Sequence, residues 1–195
     1  METGYTKFKS NWIYTDLLED ISELDKWRTK LYSLRLIGMY KNGIGFGNIS
    51  LRKDKDFIIT GSKTGGIEKL TEKHYTRVVD WDFNKNYLSS IGQIEASSES
   101  LTHAAIYEAS SKINAVIHVH NLKSWKKLKN TIPTTSEKVE YGTPEMAREI
   151  LRLFSKTDVK EKKILIMGGH KEGIISFGNN LDEAGNILLR YLSEV

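Results

Sequence analysis

The chain has 195 residues, of which 39% are hydrophobic and 28% charged, with a formal net charge of +4 at pH 7. This composition excludes a disordered or fibrous protein and is typical of a single globular domain spanning residues 1–195. Because the sequence has no cysteine, disulfides and thiolate ligands are excluded, so any metal must be held by nitrogen and oxygen.

The first predicted element is a long amphipathic helix from about residue 16 to residue 40. Its apolar residues recur at three- and four-residue intervals, which indicates one buried stripe; they are Leu17, Ile21, Leu24, Trp27, Leu31 and Leu34. Lys41-Asn42-Gly43 ends this helix, and a glycine-rich segment at 44–52 leads into the strands that follow.

Two further strands are predicted at 57–60 and 78–83, the second followed by a hairpin turn at 84–86. The loop at 61–66 reads Gly-Ser-Lys-Thr-Gly-Gly and offers the backbone amides and hydroxyls of an anion site. It lacks the P-loop pattern, because no Gly-Lys-Ser/Thr opens a helix there. Alone, the loop is a weak indication of phosphate binding.

The central stretch runs from a carboxylate to a pair of histidines. Ser98 is expected to cap a helix that begins near Glu99, which puts this carboxylate beside the positive end of the helix dipole. His118 and His120 follow two residues apart on a predicted strand at 115–120, so they project from the same face. Two imidazoles leave a tetrahedral metal ion short of a third protein ligand. His170, in a glycine-rich turn between two apolar runs, is the candidate.

The carboxyl-terminal part alternates helices and strands. A helix begins after Thr143 and Pro144, strands are predicted at 163–167 and 173–177, and Asn180 caps a last helix to about residue 192. Interleaved helices and strands indicate a layered α/β domain with a largely antiparallel or mixed sheet.

Charge and hydropathy also limit the partners. The basic segment at 123–129 is typical of a solvated helical face, so we expect no nucleic-acid partner. No apolar segment is long enough to cross a bilayer, and the amino terminus lacks a signal-peptide core. We therefore expect a cytoplasmic protein that does not contact membranes.

Five short motifs together resemble the class II aldolase and adducin-head family. They are Gly-Asn-Ile-Ser at 47–50, Thr-Gly at 60–61, Ser-Ser-Glu at 97–99, His-Val-His at 118–120 and Gly-His at 169–170. The resemblance implies a three-layer α/β/α domain with a central mixed, largely antiparallel sheet. It also implies a zinc ion, or another divalent transition metal, on His118, His120 and His170, with Glu99 as catalytic base. A substrate phosphate would be held by Asn48, Thr60, Gly61, Ser97 and Ser98.

The expected activity is that of a metal-dependent aldolase-type lyase in carbohydrate metabolism. It would cleave or form a carbon–carbon bond in a phosphorylated sugar or related hydroxy-carbonyl compound through a metal-stabilised enediolate. Two alternatives stay open: a sugar-phosphate epimerase of the same fold, and a non-catalytic scaffold like the adducin head. Glutamate rather than aspartate at position 99 favours the aldolase over the epimerase, and the histidines together with Glu99 favour an enzyme over a scaffold.

The resemblance further implies a cyclic homotetramer with its active site at a subunit boundary. The proton donor is open, because Lys138 stands where the family aldolase has a catalytic tyrosine. Tyr141, supplied across a subunit interface, is the candidate for this role. His74 and His103 are expected to be structural.

Overall fold

A computed structural model describes residues 6–195, and one large sheet forms the centre of the described chain. Its strands, with those of a small two-stranded ribbon, are β1 Lys9–Tyr14, β2 Gly38–Met39, β3 Gly45–Phe46, β4 Asn48–Lys53, β5 Asp56–Thr60, β6 Tyr75–Asp82, β7 Tyr87–Gly92, β8 Ala115–His120, β9 Ile164–Ile166 and β10 Gly173–Gly178. The helices are α1 Ser22–Ser33, α2 Ser100–Ala109, α3 Leu122–Leu128, α4 Pro144–Lys156, α5 Val159–Lys162 and α6 Leu181–Ser193, with a short 3₁₀ helix at Glu72–His74.

The large sheet has eight strands in the order β1-β7-β6-β5-β4-β8-β10-β9, and β2 and β3 form the ribbon. Its neighbouring strands pair antiparallel, except that β1 runs parallel to β7. The predicted mixed, largely antiparallel sheet is therefore confirmed.

Helices cover both faces of the sheet, as expected for an α/β/α domain. One apolar core contains buried residues of α2 and α4, and the other contains buried residues of α1 and α6. Strand β8 contributes to both: Val116 packs in the first core, while Ile117 and Val119 pack in the second. This alternation follows from the two-residue period of a strand, and it turns His118 and His120 toward the α2 face.

The first helix is much shorter than the sequence predicts. It covers Ser22–Ser33 rather than residues 16–40. Leu17 and Ile21 are buried in the second core although they precede the helix, so the apolar spacing continues beyond the helical turns. After the helix, Arg35 adopts a left-handed φ of 57°, a conformation that cannot continue an α-helix. The expectation was wrong because periodicity reports burial, which an irregular segment also satisfies.

Among residues 6–195, no helix is both long and apolar enough to cross a membrane. Residues 1–5, which belong to the amino-terminal segment predicted to lack a signal-peptide core, lie outside the described residues.

Candidate active site

Two paired strands and a tight turn bring three histidines together. In the antiparallel pair formed by β8 and β10, Gly173 lies opposite His120. The turn between β9 and β10 therefore carries His170 to the end of β8. The possible ligand atoms of His118, His120 and His170 all lie within 4.8 Å of one another, and the Nε2 atoms of His120 and His170 are 2.9 Å apart. The structure thus brings together the three histidines that the sequence singles out.

The turn that carries His170 depends on a close backbone approach. A Cβ atom at Gly169 would overlap the carbonyl oxygen of Val139, so a larger residue could not pack against this segment. Glycine lets the turn lie directly beneath the segment at 134–141.

The three imidazoles fit a divalent metal ion. All are buried, and among the described residues His118 Nε2 has no hydrogen-bond partner. A buried polar nitrogen without a partner is costly unless something else binds it. Burial, and then the neighbouring His120 and His170 rings, hold the pKa of His118 well below its usual range; burial and His170 do the same for His120. Both rings are therefore neutral near pH 7, which is the form that binds metals.

The carboxylate of Glu99 lies beside this cluster. Glu99 is 3% exposed, and its Oε1 atom is 3.5 Å from His170 Nε2. Thr102, in the first turn of α2, donates from Oγ1 to Glu99 Oε2 at 2.9 Å. One carboxylate oxygen is therefore anchored by the helix, and the other is directed toward the histidines.

The start of α2 differs from the sequence prediction by one residue. Ser98 was expected to cap the helix with Glu99 in its first turn, but the helix begins at Ser100 and Glu99 is itself the capping residue. The Ser97 hydroxyl accepts from the Glu99 amide at 3.4 Å, and the Ser97 carbonyl accepts from the Ser100 amide at 3.0 Å. These two bonds close a turn at 97–100, so helical geometry begins after Glu99.

A cavity of about 410 Å³ opens onto the histidines and Glu99. The residues predicted to hold a phosphate divide into two groups. Thr60 does not line the cavity; it is buried, and its hydroxyl accepts from the amide of Ile49 at 3.3 Å, which ties β5 to β4. The other four line the cavity: Asn48, Gly61, Ser97 and Ser98.

Asn48 connects this polar wall to the histidine cluster. Its Nδ2 atom donates to Ser97 Oγ at 3.1 Å and lies 3.4 Å from His118 Nδ1. The register of β4 against β8 sets this arrangement, because Asn48 lies directly opposite His118. A group bound by Asn48 and Ser97 would therefore lie next to the histidine site.

The glycine-rich loop at 61–66 forms another part of the wall and adds a cation that the sequence analysis did not assign. Lys63, with a left-handed φ of 61°, lines the cavity. Arg28 of α1 is buried beneath the loop and donates to the carbonyls of Thr64 at 3.0 Å and Glu68 at 2.7 Å. The buried guanidinium fixes these carbonyls and so holds the loop against the first helix.

Two aromatic residues were also missed. The Phe46 ring stacks on His120, with centroids 5.3 Å apart and planes 26° apart, and the Tyr40 ring lies 4.5 Å from Phe46. Both line the cavity. They belong to the ribbon and its turn, and no local pattern in the sequence connects that segment to β8.

Tyr141 reaches the cavity from within its own chain. Its ring centroid lies 4.6 Å from that of His170, and Lys7 Nζ lies 3.9 Å from the Tyr141 centroid. This tyrosine therefore lines the same cavity as Glu99 within one chain, whereas the sequence analysis expected it to be supplied across a subunit interface.

The family model for the class II aldolase and adducin N-terminal domain matches residues 39–191. The chain belongs to the class II aldolase and adducin family. The matched region contains the three histidines, Glu99 and every residue predicted to hold a phosphate.

Several known proteins are similar to this chain. The L-fuculose phosphate aldolase of Methanocaldococcus jannaschii is 26% identical over 170 residues, which cover 80% of this chain and 82% of the relative. A solved L-fuculose 1-phosphate aldolase matches with a TM-score of 0.66 and 22% identity, over 88% of this chain and 80% of the other. An Escherichia coli protein described as a candidate aldolase, epimerase or decarboxylase matches with a TM-score of 0.64 and 14% identity, over 86% and 82%.

Proposed function

We propose that the chain is a metal-dependent aldolase-type lyase. It would cleave or form a carbon–carbon bond in a phosphorylated sugar or related hydroxy-carbonyl compound. The observation that carries the proposal is the 3.5 Å distance between Glu99 Oε1 and His170 Nε2 at the wall of the cavity. This distance places a candidate base next to a candidate metal site of three imidazoles. Removal of a proton next to a carbonyl uses both: a base that accepts the proton and a metal ion that stabilises the resulting negative charge. Similarity to an L-fuculose phosphate aldolase supports this class of substrate.

His118, His120 and His170 would hold the metal, which we propose is zinc or another divalent transition metal. An all-nitrogen set of three ligands is typical of catalytic zinc, which keeps a further position for water or substrate. When bound, the metal supplies a Lewis acid that stabilises negative charge developing on the substrate oxygen atoms.

Glu99 is the proposed base. The hydroxyl of Thr102 holds Oε2, so Oε1 is the oxygen that faces the histidines and would accept the proton. Tyr141 is the proposed proton donor, because its ring lies against His170 in the same cavity. Both residues are largely buried, at 3% and 5% exposed, and burial strengthens their electrostatic interactions with a substrate.

The polar wall is the proposed phosphate site. Asn48, Gly61, Ser97 and Ser98 would donate hydrogen bonds to phosphate oxygens, with Lys63 adding a positive charge at the same wall. Thr60 was predicted to contact the phosphate directly. We now propose that it acts indirectly, because its hydroxyl is bonded to the amide next to Asn48.

An epimerase of the same fold is the second candidate, since the E. coli protein is described as a candidate aldolase, epimerase or decarboxylase. The two reactions differ in their products. An epimerase returns a sugar with all its carbons, whereas a lyase releases an aldehyde. Analysis of the product therefore separates the two.

The test is a Glu99→Gln variant. The amide keeps the shape of the side chain but cannot accept a proton, so we expect a folded, zinc-binding protein with at least about 100-fold slower exchange of the substrate α-proton with deuterated water. Ketose and aldonate phosphates are the substrates to screen, with exchange followed by proton NMR.

Glu108→Gln is the matched control, because Glu108 lies on the same helix but is exposed and does not line the histidine cavity. This control should exchange the proton at the wild-type rate. Exchange by Glu99→Gln at the wild-type rate would contradict the role of Glu99. Native protein that binds no zinc, and gains no thermal stability from added zinc, would favour the scaffold.

A further inference from the structure

A chain of three hydrogen-bonded side chains links His120 of the histidine cluster to Tyr40 and Glu172, two residues that have no role in the reaction proposed above. The Tyr40 hydroxyl is 2.8 Å from His120 Nδ1 and 2.8 Å from Glu172 Oε2. Tyr40 follows β2, His120 ends β8, and Glu172 precedes β10. Three separate segments of the chain therefore meet through one hydroxyl group.

The chemistry of the groups sets the direction of these bonds. A carboxylate only accepts hydrogen bonds, so Tyr40 donates its single hydroxyl proton to Glu172. The hydroxyl oxygen can then only accept from His120, which requires the imidazole proton to be on Nδ1. A neutral imidazole protonated at Nδ1 carries its lone pair on Nε2. That is the nitrogen which lies 2.9 Å from His170 Nε2.

The backbone supports this arrangement at the carboxylate end. Glu172 has a left-handed φ of 72°, which non-glycine residues rarely adopt. Its carbonyl accepts from the amide of Asn121 at 3.0 Å. The residue after His120 is thus bonded directly to the backbone of Glu172, so β8 and the turn before β10 hold His120 and Glu172 in register.

The ring of His120 is also held from the side. Phe46 stacks on it at 5.3 Å, and Tyr40 packs against Phe46 at 4.5 Å. Packing of this kind restricts rotation of the imidazole, but it cannot choose which nitrogen carries the proton. The hydrogen bond to Tyr40 distinguishes the two nitrogens, because it places the proton on Nδ1 and leaves Nε2 to accept from His170.

We propose that Tyr40 and Glu172 are positioning residues that hold His120 in the tautomer able to bind a metal through Nε2. The inference rests on the metal site of the proposed function, not on the aldolase reaction. Loss of a partner that orients a metal-binding histidine typically lowers metal affinity about 10–100-fold.

The first experiment reads the tautomer in metal-free protein by long-range proton–nitrogen NMR of the imidazoles, with the His120 signals assigned from a His120→Gln variant. The wild type is expected to show His120 protonated at Nδ1. Tyr40→Phe is expected to lose this preference, because no acceptor is left for the Nδ1 proton. A wild-type His120 protonated at Nε2, or an Nδ1 preference unchanged in Tyr40→Phe, would overturn the proposal.

The second experiment measures zinc affinity by competition with a chelator. Tyr40→Phe should bind zinc about 10–100-fold more weakly than the wild type. Tyr32→Phe is the matched control, since it also removes a half-buried tyrosine hydroxyl but one that bonds to a loop carbonyl; its affinity should be unchanged.

Glu172→Gly tests the carboxylate, because glycine suits the left-handed backbone at this position. Without the carboxylate, Tyr40 can donate to His120 Nδ1, which moves the imidazole proton to Nε2. This variant should therefore lose at least as much affinity as Tyr40→Phe.

The double variant is the sharpest comparison. If Glu172 acts only through the Tyr40 hydroxyl, the Tyr40→Phe/Glu172→Gly protein should bind zinc as tightly as Tyr40→Phe alone. The proposal would be overturned if the losses of zinc affinity in the two single variants add in the double variant. It would also be overturned if the single variants bind zinc within twofold of the wild type. Wild-type protein that binds no zinc would contradict the proposed function. The NMR measurement of the His120 tautomer needs no metal, so it would still test the roles of Tyr40 and Glu172 in that case.

Discussion

At the scale of single residues, a buried histidine can serve the packed interior rather than the cavity. His103 of α2 is fully buried, and its Nδ1 atom is 2.6 Å from the hydroxyl of Ser50 on β4. The same hydroxyl is 2.7 Å from the hydroxyl of Tyr107. This network joins α2 to β4 of the sheet, in line with the structural role expected from the sequence. Burial lowers the pKa of His103 to about 3.

We predict that His103 makes the protein less stable in acid. Its folded-state pKa of about 3 lies below the value of about 6.5 in an unfolded chain, so the unfolded state binds the additional proton. Stability is therefore lost as the pH falls from about 6.5 toward 3, by up to about 1.4 kcal/mol per pH unit for this group. The free energy of unfolding in urea should depend less steeply on pH between 6.5 and 4 in His103→Gln than in the wild type.

His74→Gln provides the comparison for this measurement. His74 is only half-buried and lies in the 3₁₀ helix away from the cavity, so the variant should keep the wild-type slope. Contributions from the other buried histidines are common to all three proteins and cancel in the differences. Equal slopes for His103→Gln and the wild type would show that His103 is not the group responsible.

At the scale of secondary structure elements, the sequence is informative where the signal is local. The two faces of β8 follow from alternation alone, and Thr143 and Asn180 cap α4 and α6 as predicted. Burial of residues 17 and 21 outside a helix was not predictable from spacing. The edge strand β1 was also missed, because all its residues are exposed and show no apolar alternation.

The same distinction applies to the candidate site. Local spacing finds His118 and His120, and the resemblance adds the phosphate wall. Tyr40 was missed because it lies 80 positions before His120, and only the completed fold brings the two side chains together. Contacts of that range depend on strand register, which a single sequence does not contain.

The packing of α1 against α6 gives the prediction at this scale. Gly185 of α6 faces Trp27, and a Cβ atom at Gly185 would overlap the Trp27 ring at Cζ3. Trp27 cannot easily move, because its Nε1 donates to Asp182 Oδ1 at 2.7 Å. Alanine gains about 1 kcal/mol over glycine in a helix, but overpacking costs about 1–3 kcal/mol. We expect the overlap to dominate, so Gly185→Ala should unfold at a lower urea concentration than the wild type.

Asn186→Ala is the matched control for this prediction, because Asn186 is the exposed neighbour on the same helix. It should be neutral or slightly stabilising, since alanine has the higher helix propensity. Combining Gly185→Ala with Trp27→Leu should lower stability by less than the sum of the two single changes. An increase in stability for Gly185→Ala alone would show that α6 can move away from the indole.

At the scale of the whole molecule, the described site is assembled within one chain. Glu99, Tyr141 and the three histidines all line the same cavity. Assembly is therefore not required to bring these groups together. A neighbouring subunit would instead cover surface that one chain leaves exposed.

The edge of the large sheet at β1 is an exposed apolar surface. Trp12, Ile13 and Tyr14 are 42%, 49% and 70% exposed, and Leu18 beyond them is 92% exposed. An exposed apolar edge strand normally pairs or is protected, because its free amides and carbonyls attract other strands. The homotetramer expected from the family resemblance would provide such protection.

We predict that the protein is a homotetramer and that the β1 edge contributes to its interface. Light scattering at micromolar concentration should give four times the 22.3 kDa mass of the chain. Ile13→Lys places a charge at the centre of the edge strand and should lower the mass, because an unpaired charge in an interface is costly to bury. Leu34→Lys, at a position with the same 49% exposure after α1, should leave the mass unchanged. A wild-type monomer would contradict the tetramer, and dissociation by Leu34→Lys alone would move the interface from the sheet edge to the end of α1.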